Sequence, residues 1–160
     1  MTFDTNDEDS AWQSPIWIAH TNCLLNSYER LIGRSLIPRS TPEVDARNLF
    51  EASFVVVAHG TETDPLLSYG NVSALRLWKM PLSTFLGTPS RKTAEPVHRD
   101  ERAELLRRTT ENGFIDDYSG IRIASTGDRF RILKATVWNV ADENGQHIGQ
   151  AATFAEWLPL

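Results

Sequence analysis

The chain has 160 residues, 41% of them hydrophobic and 23% charged, which is one domain's worth of sequence with the apolar fraction a globular core needs. Lys and Arg total 16 against 21 Asp and Glu, a formal charge of −5, and that balance argues against a dedicated nucleic-acid binder. No apolar run approaches the ~20 residues of a membrane span, and a single cysteine, Cys23, excludes intrachain disulfides, multi-Cys zinc sites and CxxC redox chemistry.

The first ten residues, MTFDTNDEDS, carry Asp4, Asp7, Glu8 and Asp9 and no basic residue. Removing those four charges from −5 leaves −1 for the rest. The stretch lacks a secretory pattern, so a reducing cytoplasm is the expected compartment. Residues 1–13 read as an acidic, disordered leader.

Helical period begins at Ser14-Pro15, an N-cap followed by proline at the first helical position. Trp17, Leu24 and Leu31 fall seven apart, with Thr21 and Tyr28 between them and Ile16, Cys23 and Ile32 widening the stripe. Gly33 stops this helix, 14–33. Its apolar face is long enough to pack on its own domain or on a twin chain, and both roles stay open. Cys23, with no basic neighbour, reads as an inert thiol. Residues 34–52 read as a linker and a short helix, capped by Thr41 with Val44, Leu49 and Phe50 facing inward.

From residue 53 the pattern changes. Phe54–Ala58 is a β-branched run short enough for a central strand. His59–Pro65 is turn chemistry, and Leu66–Tyr69 is a second strand. Asn71 caps a helix from Val72 to about Lys79. Pro81 opens another short turn of helix ending at Gly87. Thr88–Pro96 is irregular. A longer helix runs from about Val97 to Asn112, with Leu105 and Leu106 inward and Glu104 and Arg108 spaced as an i,i+4 ion pair. Three strands follow, Phe114–Ser125, Arg129–Val140 and Gln146–Trp157, joined by Thr126-Gly127-Asp128 and by Asp142–Gly145, whose Asn-Gly is a hairpin signal. Five antiparallel strands with helices inserted after the second make an α+β domain.

That order of elements is the one used by PAS sensor domains. The stretches FVVVAHGTETDPLLSYGNVSALRLW (54–78), PSRKTAEP (89–96), GFIDDYSGIRIASTGDRFRI (113–132) and TVWNVADENGQHIGQAATF (136–154) resemble the MEKHLA family, a PAS-like domain found in small standalone bacterial proteins and at the C-terminus of plant homeodomain–leucine zipper transcription factors. The resemblance implies a PAS-like fold over 53–158 and carries no reaction with it.

The candidate sites are read residue by residue. His59, near Glu62 and Asp64, fits no zinc spacing and reads as a turn-stabilising residue. The nine glycines form no GxGxxG or Walker loop. Asp116 and Asp117 are adjacent on a strand and so point to opposite faces unless a bulge intervenes. One of them is expected to face solvent and the other to cap or to pair with an Arg such as Arg122. His98 opens the longer helix, where PAS domains that bind haem carry a histidine, but among Arg99, Asp100, Glu101 and Arg102 it reads as a solvated helix start. PAS-type flavin adducts need a cysteine before the long helix, and TPSRKTAEP has none. Noncovalent flavin stays open and no cofactor is named. Arg91, Lys92 and Arg99 read as a solvated loop, with an anionic ligand as the alternative. His20 and His147 stand in no Ser/His/Asp context.

Tyr69, Trp78, Phe85, Phe130, Thr136 and Trp138 are the expected lining of a ligand pocket between sheet and helices, with Asn139 and Gln150 as further polar candidates. Thr136 and Trp138 share one strand face, expected to be the pocket face, and Asn139 the other. The function expected is a non-catalytic sensory or regulatory module. It binds a small apolar or aromatic ligand or a protein partner, with a homodimer through the N-terminal helix or the sheet face, no membrane, and nucleic acid disfavoured. The competing reading is a cone-shaped α+β enzyme, isomerase- or dehydratase-like, using Asp116, Tyr69 or Tyr118 in an apolar cavity. No metal site is expected.

Overall fold

A computed structural model describes residues 10–95 and 99–160, with the Arg99 side chain excepted. Most of the expected acidic leader, and Pro96-Val97-His98 at the expected start of the long helix, lie outside the described residues. Of the leader's last four residues, Ala11–Gln13 form a turn of 3-10 helix.

Helix α1 spans Pro15–Ile32. The Ser14 hydroxyl accepts from the Trp17 N–H at 3.1 Å, and Gly33 closes the helix in the left-handed region. Helix α2, Pro42–Phe50, is capped by Thr41 in the same way. Between them, Arg39 donates to the buried Asp45 carboxylate at 2.9 Å and to Glu29 at 2.8 Å, tying the linker to both helices. Two inward expectations are corrected. Ile16 is 84% exposed and Val44 43%, because each lies off the face its helix buries, that of Trp17, Thr21, Leu24 and Tyr28 in α1 and of Ala46, Leu49 and Phe50 in α2.

The strands are β1 (Val55–His59), β2 (Leu67–Gly70), β3 (Phe114–Ile123), β4 (Arg129–Ala141), β5 (His147–Phe154) and β6 (Glu156–Pro159). They form one antiparallel sheet in the order β2-β1-β5-β4-β3. The expected last strand is split at Ala155, and its second part, β6, pairs the first half of β4. Helices α3 (Val72–Trp78), α4 (Leu82–Phe85) and α5 (Arg99–Asn112) are inserted between β2 and β3. The irregular segment before α5 holds a turn of 3-10 helix, Ser90–Thr93.

Asn71 sits at the junction of these pieces and is fully buried. Its Oδ1 accepts from the N–H groups of Val56 and Ala74, both at 3.1 Å. Its Nδ2 donates to the carbonyls of Leu49 (3.1 Å) and Phe54 (2.8 Å). One side chain therefore caps α3 and binds both α2 and β1 to it, using both acceptor and both donor positions of its amide.

Both faces of the sheet are covered. On the outer face the register lines up Tyr69, Ala58, Ala151 and Trp138 across four strands. The two alanines make a trough between two large aromatics, and α1 lies in it. Trp17 packs on Tyr69 (ring centroids 4.8 Å apart) and Tyr28 on Trp138 (5.0 Å). The geometry matches: the eleven residues from Trp17 to Tyr28 rise about 16 Å, and three strand spacings are roughly 14 Å. The apolar stripe of α1 is thus spent on its own sheet.

Candidate functional site

The inner face is one pleat over. There the register aligns Gly70, Val57, Ala152 and Val137, a row of small and β-branched side chains that leaves room above the sheet. Trp78 from α3, Phe85 from α4, and Leu105 and Leu106 from α5 close over that row. They border a partly open cavity of about 70 Å³. Trp78 packs edge-on against Phe85, Phe130 and Phe154, which together make the apolar wall.

The polar lining comes from four elements: His59 at the end of β1, Arg102 on α5, Tyr118 and Arg122 on β3, and Gln150 on β5, with Ser90 and Thr93 from the 3-10 turn. Gln150 Nε2 is committed, donating to the Leu106 carbonyl (3.1 Å), Thr110 Oγ1 (2.9 Å) and Asn139 Oδ1 (2.9 Å). His59 Nδ1 donates to the Gly60 carbonyl at 2.9 Å, and its buried Nε2 has no partner. Burial, foremost, holds this imidazole below its ordinary pKa, and the Arg102 charge adds to that. The buried Trp78 Nε1–H also lacks a partner.

Two guanidiniums dominate. Arg102 is 8% exposed and Arg122 7%. Arg102 Nη2 donates to Ser90 Oγ. Arg122 Nη1 donates to the Ile121 carbonyl (2.8 Å) and Nη2 to the Tyr118 hydroxyl (3.3 Å), with the guanidinium carbon 5.7 Å from that ring's centroid. Burial and then the neighbouring Arg122 charge bring Arg102 down to about 10. Tyr118 reaches Arg122 by folding across Gly120, where an added Cβ would fall 2.2 Å from the Tyr118 oxygen. Only glycine leaves that notch open.

The expected pocket residues divide. Trp78 and Phe85 line the cavity. Phe130 is in the same apolar core and stands behind Trp78. Tyr69, Thr136 and Trp138 are corrected: Tyr69 and Trp138 belong to the outer core under α1, and Thr136 lies in the outer-face row of Val56 and Thr153. The inward face of β4 is that of Val137 and Asn139. Thr136 and Trp138 do share a face apart from Asn139, but it is the outer one, where Trp138 completes an aromatic layer under α1.

Asp116 and Asp117 are corrected as well. A bulge lies between Ile115 and Tyr118, with Asp117 at φ 57°, and both carboxylates face solvent. Arg122 pairs with neither and turns inward. Arg107, not Arg108, takes Glu104 (2.6 Å), and it also takes Glu111 (2.6 Å). Arg91 pairs with Asp64 at 3.1 Å, and Lys92 is exposed. The Arg99 side chain lies outside the described residues. His20 stacks edge-on to Tyr69 on the outer face. The Cys23 thiol is pushed up by burial, with Asp142 and Glu143 adding to it, which favours the unreactive form.

Arg102 and Arg122 carried signals that were missed. Arg102 falls at the i,i+3,i+4,i+7 spacing of Leu105, Leu106 and Thr109, the inward face of α5. Arg122 alternates with Gly120 and Ala124, both buried. Among the described residues no group of three or more His, Cys, Asp or Glu is placed to hold a metal ion. No helix among them is long and apolar enough to cross a membrane.

Solved structures share this architecture at low identity. A PAS domain from Colwellia psychrerythraea superposes with a TM-score of 0.61 at 14% identity, over 69% of this chain and 92% of its own. A light-oxygen-voltage domain studied with a flavin analogue gives 0.57 at 18%, over 72% and 83%. A variant of the fungal photoreceptor VVD gives 0.56 at 15%, over 82% and 92%. These likenesses establish the PAS fold. No curated protein matches the chain. The sequence model of the MEKHLA domain matches residues 18–159, so it takes in nearly all of α1 as well as the sheet.

Proposed function

This chain belongs to the MEKHLA domain family, and on that premise we propose that it is a non-catalytic sensory module of the cytoplasm that holds a small ligand between the inner sheet face and helices α3 to α5. The observation that carries the reading is the cavity itself. Beside two buried hydrophobic clusters a space of about 70 Å³ persists, walled by apolar side chains and edged by a few convergent polar groups. That is the usual make-up of a small-molecule site. That a light-oxygen-voltage domain of this fold has been studied with a flavin analogue is in keeping with a small-molecule ligand.

The residues named for an enzyme favour regulation instead. Asp116 is exposed and Tyr69 lies on the outer face. Tyr118 alone reaches the cavity, and its hydroxyl is engaged with Arg122. A sensor of this form signals by altering a surface, and α5, which both lines the cavity and is solvent-facing along most of its length, is the element that transmits occupancy.

The test is an amide NMR spectrum of the full chain under xenon pressure, followed by native mass spectrometry of freshly purified protein. Xenon enters dry apolar cavities. The expected result is shifts confined to Val57, Leu105, Val137 and their neighbours, and an added small mass in the native spectrum. Shifts at the outer-face aromatics alone, or none with no added mass, would refute the reading.

A further inference from the structure

We propose that the ligand of this cavity is a short-chain monocarboxylate, its anionic head held between Arg102 and Arg122 and its apolar tail against Val57, Leu105 and Val137. This rests on the ligand-binding reading above and names the chemistry of that site.

The first argument is charge. A guanidinium stays protonated in proteins and is costly to bury without an opposite charge. Here two are buried in one cavity, within electrostatic reach of each other. Among the described residues neither meets a carboxylate. Arg102 has a serine hydroxyl, and Arg122 has a main-chain carbonyl and a tyrosine hydroxyl. The nearby acids are elsewhere engaged and exposed: Asp64 pairs with Arg91, and Glu62 accepts from the Leu66 N–H at 2.9 Å. Where this fold uses a half-buried arginine structurally, it supplies the partners, as Arg39 with Asp45 and Glu29 shows.

The second argument is the donor count. Besides the two guanidiniums, the lining residue Trp78 has a buried, unpartnered indole N–H. Among the described residues, the one buried side-chain acceptor of the lining without a partner is His59 Nε2, which becomes a donor on protonation. A wall with surplus donors and two fixed positive charges is complementary to an anion, and planar forks match a carboxylate in particular.

Size and apolarity narrow the class. A cavity of 150 Å³ holds a benzene. About 70 Å³ is roughly half of that, which takes a carboxylate head with a tail of one or two carbons, a longer chain extending through the cavity's open side. Most of the lining is apolar, which favours an alkyl-bearing head over a bare inorganic anion.

The experiment is calorimetric titration of the full chain with sodium propionate and butyrate, beside butyramide, 1-butanol and inorganic phosphate at matched ionic strength. Saturable carboxylate binding is expected, at least tenfold tighter than the amide or the alcohol. Arg102→Gln and Arg122→Gln should each weaken butyrate at least tenfold. Neither should lower the melting temperature of the ligand-free protein, because each relieves the repulsion between two buried like charges. If a glutamine variant does not fold, Arg122→Lys provides the second reading: charge kept, fork lost, and binding again at least tenfold weaker. Amide or alcohol binding as tightly as butyrate overturns the anionic head and leaves the cavity reading standing. So does xenon entry without carboxylate binding. Phosphate binding in place of carboxylates overturns the proposed class. Failure of xenon and of every titrant overturns both proposals.

Discussion

The indole N–H of Trp138 on β4 donates to the main-chain carbonyl of Leu24 on α1 at 3.2 Å, joining residues 114 apart in sequence. Beside it, Ser27 Oγ accepts from the Ala141 N–H at 2.9 Å and donates to the Ala141 carbonyl at 3.3 Å. The N-terminal helix is therefore fastened to the sheet at one end by polar contacts and along its length by aromatic packing, and it functions as the sheet's second cover.

Removing the fastening should separate packing from hydrogen bonding. Trp138→Phe keeps most of the ring area and loses the bond, so it should cost about 1–2 kcal/mol. Trp138→Ala empties a fully buried site and should cost about 3–5 kcal/mol. Urea unfolding of both variants measures the pair. Equal costs would mean that the bond, not the buried ring, holds α1 in place. Both variants should leave xenon shifts at Val57 and Leu105 in place, since Trp138 faces away from the cavity.

Asn71 makes a different kind of junction, four hydrogen bonds from one amide. Asn71→Ala strands two N–H groups and two carbonyls in the interior, and should lower stability by on the order of 3–5 kcal/mol. Asn71→Asp keeps the acceptor for Val56 and Ala74 but turns a carboxylate toward the Leu49 and Phe54 carbonyls. It should be nearly as damaging at neutral pH and should recover in part when acid protonates it. Thermal melts of the aspartate variant at pH 7 and pH 4.5, each read against wild type at the same pH, check the point. A variant as stable as wild type at pH 7 would show that the two carbonyl bonds matter little.

Two half-buried imidazoles set a pH dependence. Burial holds His20 and His59 below the ordinary histidine value of 6.5. His59 is further disfavoured as a cation by Arg102 and His147, and favoured by Glu62 and by the Gly60 carbonyl. In both, the folded pKa is depressed, so the unfolded chain takes up protons first. The stability these groups contribute is complete above pH 6.5 and is lost as pH falls below it through their folded values. The midpoint of urea unfolding should therefore drop between pH 7 and pH 5. A His20→Gln/His59→Gln double variant should flatten that interval. An unflattened curve would assign the acid sensitivity to other groups.

Much of the fold was legible because its signals are local. Ser14-Pro15 and Gly33 bracket α1, Thr41-Pro42 opens α2, and Asn71 caps α3, each through bonds spanning four residues or fewer. Asn144-Gly145 turns β4 into β5. The site was less legible. Period-two alternation correctly set Trp138 and Thr136 apart from Asn139, yet β4 from Ala135 to Trp138 is buried on both faces. An apolar pattern on both sides does not say which side holds the cavity. Arg102 and Arg122 were passed over for a related reason: charged residues on a helix or strand are ordinarily solvated, and only their positions in the buried phase marked them.

The sequence alone determined the element order, the caps and turns, the α+β class and the family. All of these depend on neighbours in the chain or on a pattern long enough to be specific. Tertiary structure alone decided that α1 lies in the Ala58–Ala151 trough, that the Asp116-Asp117 bulge turns both carboxylates outward, and that two arginines share the inner cavity. Those outcomes depend on which distant segment covers which face of the sheet. The choice rests on shape and buried area summed over residues tens of positions apart, which no local spacing encodes.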